Sequence, residues 1–215
     1  MTEKNAPDDV LLAYASGGLD EAMSLVVATH LTLSPQSRAR VADFEALGGA
    51  LIEEIAPAAL DADSLDSVLA RLDEEDSAQQ APEPPCDGHL LPAALRGYVG
   101  PDIEALRWKR LIRGVQEAEF AIGGSARARL MRIESGIAVP RHTHRGKEAT
   151  LVLEGAYRDE TGYYDRGALQ WADATLDHQP AATGGETCLC LVVTEAPIRL
   201  TGKLGRLLNP LIKYQ

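Results

Sequence analysis

The chain has 215 residues, 45% of them hydrophobic, with 32 acidic against 21 basic side chains and a net charge of −11. That apolar content excludes a disordered chain, and the length allows one or two modest domains. The acidic balance disfavours direct contact with nucleic-acid phosphates and favours a basic protein partner.

From Asp8 to about Asp76 the pattern is helical. A short first helix carries Val10, Leu11, Leu12 and Tyr14, and Gly17 and Gly18 separate it from a second. In that second helix, through Leu31, apolar residues recur at three- and four-residue spacing, which builds one apolar face. Ser34 followed by Pro35 suits a helix start, because the hydroxyl caps and the proline is pre-set for the first turn. The third helix carries Val41, Phe44, Leu47, Leu51 and Ile55. A fourth, Ser64 to Asp76, places Leu65, Val68, Leu69 and Leu72 on one side.

The next stretch, Ser77 to Pro85, is polar and proline-rich and reads as an extended linker, with Cys86 and a solvated His89 in its continuation. From Leu106 onward the elements become short, strand-like and punctuated by glycine. Arg127 to Ile133 alternates charged and apolar residues; Thr150 to Leu153 and Thr187 to Thr194 are apolar runs. Many short strands with frequent turns indicate a sandwich or barrel. The tail from Leu200 to Gln215 reads as a short amphipathic helix.

No apolar run approaches the ~20 residues of a membrane span. The first five residues lack the basic and then apolar segments of a signal peptide. Three cysteines are too few, and odd in number, for a disulfide framework. A cytoplasmic protein without a membrane partner is expected.

The chemistry concentrates late in the chain. His142 and His144 are two apart, so on a strand both imidazoles point to one side. Glu148 follows four residues later, and His178 comes from a different segment. Three imidazoles and one carboxylate suit one divalent metal: zinc foremost, with iron, manganese or nickel as alternatives. The spacing of Gly136, His142, His144, Glu148 and Gly155 resembles the first cupin motif at every fixed position. Gly167 and His178 stand where the second motif has them, but Asp173 and Thr175 replace its usual proline and glycine. That resemblance implies a small jelly-roll barrel with the metal inside.

The order of the two halves carries a further resemblance. The string Asp20 to Leu31, then Ser37 to Arg40, Leu47 to Gly49, Tyr98 to Gly100, Arg107 and Trp108, the His142 motif, and Cys188 to Cys190 together resemble the ChrR family of anti-sigma factors. The resemblance implies an all-α anti-sigma-like domain over 1–77, a linker over 78–97 and an all-β cupin domain over 98–215. It implies that the helices bind a sigma factor of the extracytoplasmic-function group and mask its polymerase-binding surfaces. It implies too that the cupin senses an oxidant such as singlet oxygen and thereby triggers release.

One departure is large. The family's helical domain binds zinc through a histidine, two cysteines at fixed spacing and an earlier histidine. Here those positions are His30, Ser34, Ser37 and Asn5. Serine hydroxyls are poor zinc ligands at neutral pH. No zinc is therefore expected in this domain, and His30 is expected to be a partly buried helix residue. Cys188 and Cys190 share a strand face and read either as small core residues or as oxidant-responsive thiols beside the metal. The competing functional class is a metal-dependent cupin oxygenase, in which Arg132, Arg141 or Arg158 would hold a substrate carboxylate.

Overall fold

The structure, a computed structural model, describes residues 5–72, 90–202, 205 and 209. Cys86, His89 and most of the tail expected to be helical lie outside the described residues.

Four helices come first: α1 (Asp8–Ala15), α2 (Glu21–Leu33), α3 (Pro35–Glu53) and α4 (Ser64–Leu72). Their starts are chemically marked. The Asp20 side chain accepts a hydrogen bond from the Met23 N–H at 2.7 Å, capping α2. The Ser34 hydroxyl accepts from the Ser37 N–H at 3.2 Å, with Pro35 in the first turn, capping α3. A fifth helix, α5 (Ala93–Val99), occupies part of the stretch read as linker. Leu91 and Leu95 are buried against the other helices, so hydrophobic burial orders residues whose neighbours upstream read as polar and proline-rich.

Twelve strands follow: β1 (Lys109–Ile112), β2 (Val115–Phe120), β3 (Arg127–Ile133), β4 (His142–Thr143), β5 (Glu148–Glu154), β6 (Ala156–Arg158), β7 (Tyr163–Asp165), β8 (Leu169–Ala172), β9 (Asp177–His178), β10 (Ala181–Thr183), β11 (Cys188–Thr194) and β12 (Arg199–Leu200). They form a six-stranded sheet in the order β1-β2-β3-β11-β5-β8 and two three-stranded sheets, β10-β6-β7 and β12-β4-β9. Among the described residues the strands pair antiparallel throughout. This is the cupin jelly roll. Leu200, expected in a helix, instead pairs with His142 in β12, and its backbone is clasped by the Asn209 amide.

Two cores share one wall. The interior core holds Val115, Met131, Ile133, Val152, Tyr157, Cys188, Cys190 and Val192. On the outer face of the same large sheet, Ala128, Leu130, Leu151, Leu153, Leu189, Leu191 and Val193 join Val10, Leu11, Met23, Val26 and Val27 of the helices. Helix α2 is buried on nearly every side because α1 and α3 cover one flank and the sheet the other. Each large side chain buried along this seam contributes roughly 1.5–3 kcal/mol. That outweighs the single hydrogen bonds across it, worth about 1 kcal/mol apiece.

Gly155 joins β5 to β6 with φ of +68°, and a Cβ there would lie 2.7 Å from the Thr187 carbonyl oxygen. Gly136 has φ of +77° but open space around it. Gly155→Ala should therefore lower unfolding free energy by about 2–4 kcal/mol, backbone strain plus clash. Gly136→Ala should cost only about 1 kcal/mol. Denaturant unfolding of both variants checks the difference, and equal losses would refute the packing assignment.

Candidate metal centre and helical quartet

His142 opens β4, His144 follows that strand, Glu148 opens β5 and His178 lies on β9, paired directly with His142. All four side chains are buried, and their ligand atoms lie within 4.8 Å of one another. The expected quartet is thus brought together. The turn between Gly167 and His178 is closed by the substituted residues themselves: the Asp173 carboxylate accepts from both the N–H and the hydroxyl of Thr175.

The ring nitrogens show what the cluster needs. His142 donates its Nδ1–H to the Pro140 carbonyl at 2.8 Å, and His178 donates its Nδ1–H to Asp159 at 2.7 Å. Both therefore present a bare Nε2 lone pair inward. These two nitrogens are 3.2 Å apart, and the His144 Nε2 is 3.1 Å from that of His178. Lone pairs facing each other at that separation repel unless a cation lies between them. Ligands of a tetrahedral ion bound at about 2.0–2.1 Å would sit about 3.3 Å apart. Burial, opposed in part by Glu148, pushes the His142 pKa down to about 4 and lowers that of His144. Both imidazoles are neutral at pH 7, as ligation requires. The donor set fits a divalent ion.

Asp159 and Gln170 escaped the sequence reading. Burial opposes ionisation of Asp159, but hydrogen bonds from His178, Gln170 and Thr161 outweigh it and hold the carboxyl below its usual range. Gln170 donates to Asp159 at 2.7 Å and accepts from the Tyr157 hydroxyl at 2.9 Å. Such outer partners fix the tautomer and orientation of a ligating histidine. Cys188 and Cys190 face the interior with sulfurs 3.5 Å apart. The Cys188 contact and burial raise the Cys190 pKa well above normal, so its thiol stays protonated and weakly nucleophilic.

The three arginines considered as a carboxylate clamp are elsewhere. Arg132 stacks over Trp108 and pairs with Glu104; Arg141 pairs with Glu160 and Asp177; Arg158 is exposed. Arg129 lines the barrel interior instead.

In the helical layer, His30 is wholly buried rather than partly so. Its Nδ1–H donates to the Gly167 carbonyl at 2.9 Å, so its Nε2 accepts from the Ser37 hydroxyl at 2.8 Å. Ser37 in turn lies 3.1 Å from the Ser34 hydroxyl, which is 3.3 Å from the Asn5 amide oxygen. His30, Ser34, Ser37 and Asn5 thus form a chain of neutral hydrogen bonds that ends on the barrel. No thiolate or carboxylate belongs to it, so the quartet does not fit zinc.

The fold and the buried three-histidine, one-glutamate cluster define a cupin joined to a helical layer. A family model described as the ChrR cupin-like domain matches residues 98–197. The anti-sigma-E factor ChrR of Cereibacter sphaeroides is 47% identical over 214 residues, 99% of this chain and all of that protein. The crystal structure of Rhodobacter sphaeroides SigE in complex with the anti-sigma ChrR superposes with a TM-score of 0.76 at 47% identity, covering 88% of this chain and 97% of that one. The chain belongs to the ChrR family of anti-sigma factors, which are regulators and not enzymes. Among the described residues no helix is long and apolar enough to cross a membrane.

Burial, opposed only in part by the Gly167 hydrogen bond, lowers the His30 pKa from 6.5. The unfolded chain therefore takes up this proton first as pH falls. His30 contributes its full stability above about 6.5, and the contribution is lost between that pH and the lower folded pKa, at up to about 1.4 kcal/mol per pH unit. Thermal melts of the wild type from pH 7.5 to 5 should fall more steeply than those of His30→Gln. Parallel curves would show that His30 is not buried neutral.

Proposed function

We propose that this chain is an anti-sigma factor whose helical layer binds a sigma factor of the extracytoplasmic-function group, and whose cupin holds one zinc ion and governs release in response to an oxidant. The observation that carries the reading is an apolar stripe left open on α3 and α4. Leu51 and Ile52 are 60% and 68% exposed, and Leu65, Val68 and Leu69 are 68%, 54% and 49% exposed. Helix α4 buries none of its apolar face among the described residues. Large apolar side chains left in water along two helices mark a partner site. Glu53 and Glu54 follow Leu51 and Ile52 in the chain, and Asp63 and Asp66 bracket Leu65, which suits a basic partner. Full-length identity to ChrR supports the same assignment.

Four protein donors, His142, His144, Glu148 and His178, close the coordination of a zinc ion, the arrangement of structural rather than catalytic sites. The ion would tie β4, β5 and β9 together, and its loss or the oxidation of its surroundings would loosen the wall on which α2 lies. The helical layer, with Asn5, Ser34 and Ser37 satisfied by hydrogen bonds, is assigned no metal.

The test is co-expression of the full chain with the extracytoplasmic-function sigma factors of its own cell, followed by metal analysis of what is captured. The expected result is one sigma factor retained and one zinc per chain. Leu65→Asp with Val68→Asp should weaken capture at least about a hundredfold, the loss of two buried anchors. His142→Ala should lose the zinc, whereas His30→Ala should keep it. Two ions per chain, or capture indifferent to the α4 substitutions, would contradict the assignment.

A further inference from the structure

Inside the barrel, above the histidine cluster, lies a cavity of about 270 Å³. Val115, Met131, Ile133, Val139, Cys190 and Val192 form its walls. Its rim includes Leu111 and Ile112 of β1 on one side and Pro197 and Ile198 on the other. His142, Glu148 and His178 form its floor. The volume equals that of roughly nine waters at their liquid share of about 30 Å³. Each ordered water needs two to four polar partners, and these aliphatic walls supply few. A mainly apolar molecule of about that many heavy atoms suits the space better.

One wall is charged. The alternation along β3 turns Arg127, Arg129, Met131 and Ile133 toward the cavity, while Ala128 and Leu130 face the helices. Arg129 is only 14% exposed. Its guanidinium lies 3.7 Å from Glu117 and 3.8 Å from Glu148, beyond hydrogen-bond range of both. Among the described residues its direct hydrogen bond goes to the Thr194 hydroxyl at 3.2 Å. Of its five N–H donors, several therefore lack a close acceptor. The cavity-lining charges are Arg127 and Arg129 against Glu117 and Glu148, which cancel. A divalent ion in the cluster then leaves the lining positive. A partly buried guanidinium with free donors, beside a positive floor, is matched by a carboxylate, which it can hold bidentately.

We propose that the barrel cavity binds a small apolar monocarboxylate, with its head group on Arg129 beside the metal cluster and its hydrocarbon along Val115, Met131 and Val192 toward the rim. The proposal deepens the sensing role proposed above and rests on it for its biological purpose. Occupancy of the cavity is measurable without it.

The experiment is calorimetric titration of the zinc-loaded full chain with butyrate, octanoate, dodecanoate and octanol. Octanoate should bind saturably at one per chain, with butyrate weaker for lack of buried chain. Octanol should bind at least roughly tenfold more weakly than octanoate, for want of a charge-assisted contact. Arg129→Gln should erase that preference and leave octanol affinity unchanged. Should that variant lose zinc or fail to fold, Val192→Phe, which fills the wall and spares Arg129, should abolish binding of both compounds. Absence of saturable binding, equal affinity for octanoate and octanol, or octanoate binding untouched by Val192→Phe would overturn the proposal. Repeating the titration on the sigma complex separates the two claims. Octanoate bound in the cavity without any change in sigma retention supports the site and counts against ligand-driven release.

Discussion

Strand β11 is buried at every position, and its two sides serve different structures. Cys188, Cys190 and Val192 point into the barrel beside the histidine cluster. Leu189, Leu191 and Val193 point out, into the core shared with α2. It pairs with β3 on one side and β5 on the other, and β5 begins at Glu148, one of the four clustered donors. Close-packed interiors transmit displacement instead of absorbing it. A shift of the ends of β5 or β11 would therefore reach the underside of α2, which packs on both strands. Through this shared wall the barrel holds the helices in place.

The hold is reinforced at one polar point. Gly167 turns the chain into β8 with φ of +86°, and a Cβ there would press at 3.3 Å on that of Leu33. Its carbonyl takes the His30 Nδ1–H. Three residues along, Gln170 supports Asp159, which orients His178. The quartet of neutral hydrogen bonds in the helical layer and the outer partners of the cluster thus meet in a single short segment, 167–170. Where a zinc ion would brace the N-terminal helices from within, this chain braces them against the barrel.

Much of this was legible in the sequence because it is local. His142, His144 and Glu148 fall within seven residues, and the strand period of two explains why both imidazoles face inward. The caps at Asp20 and Ser34 are likewise short-range. What was missed depends on distant pairing. Asp159 reaches His178 from 19 residues away through the β6–β7 turn, with no spacing to mark it. The alternation of Arg127 to Ile133 was visible, but not which side faces the helices. Because α2 covers the outer face, the apolar Ala128 and Leu130 turn outward and Arg129 turns inward, the reverse of an ordinary half-exposed strand. The segment before Val99 read as linker because of its upstream prolines, yet Leu91 and Leu95 anchor it. Leu200 read as the start of a helical tail, but its backbone completes the sheet beside His142.

The central claim is that the histidine cluster and the helical layer share one wall. Amide hydrogen exchange of the full chain, before and after loading the cluster with zinc, tests it most directly. The account predicts slower exchange on loading in β5 and β11 and also in α2, which carries none of the four donors. Slowing confined to the strands around the cluster, with α2 unchanged, would contradict it.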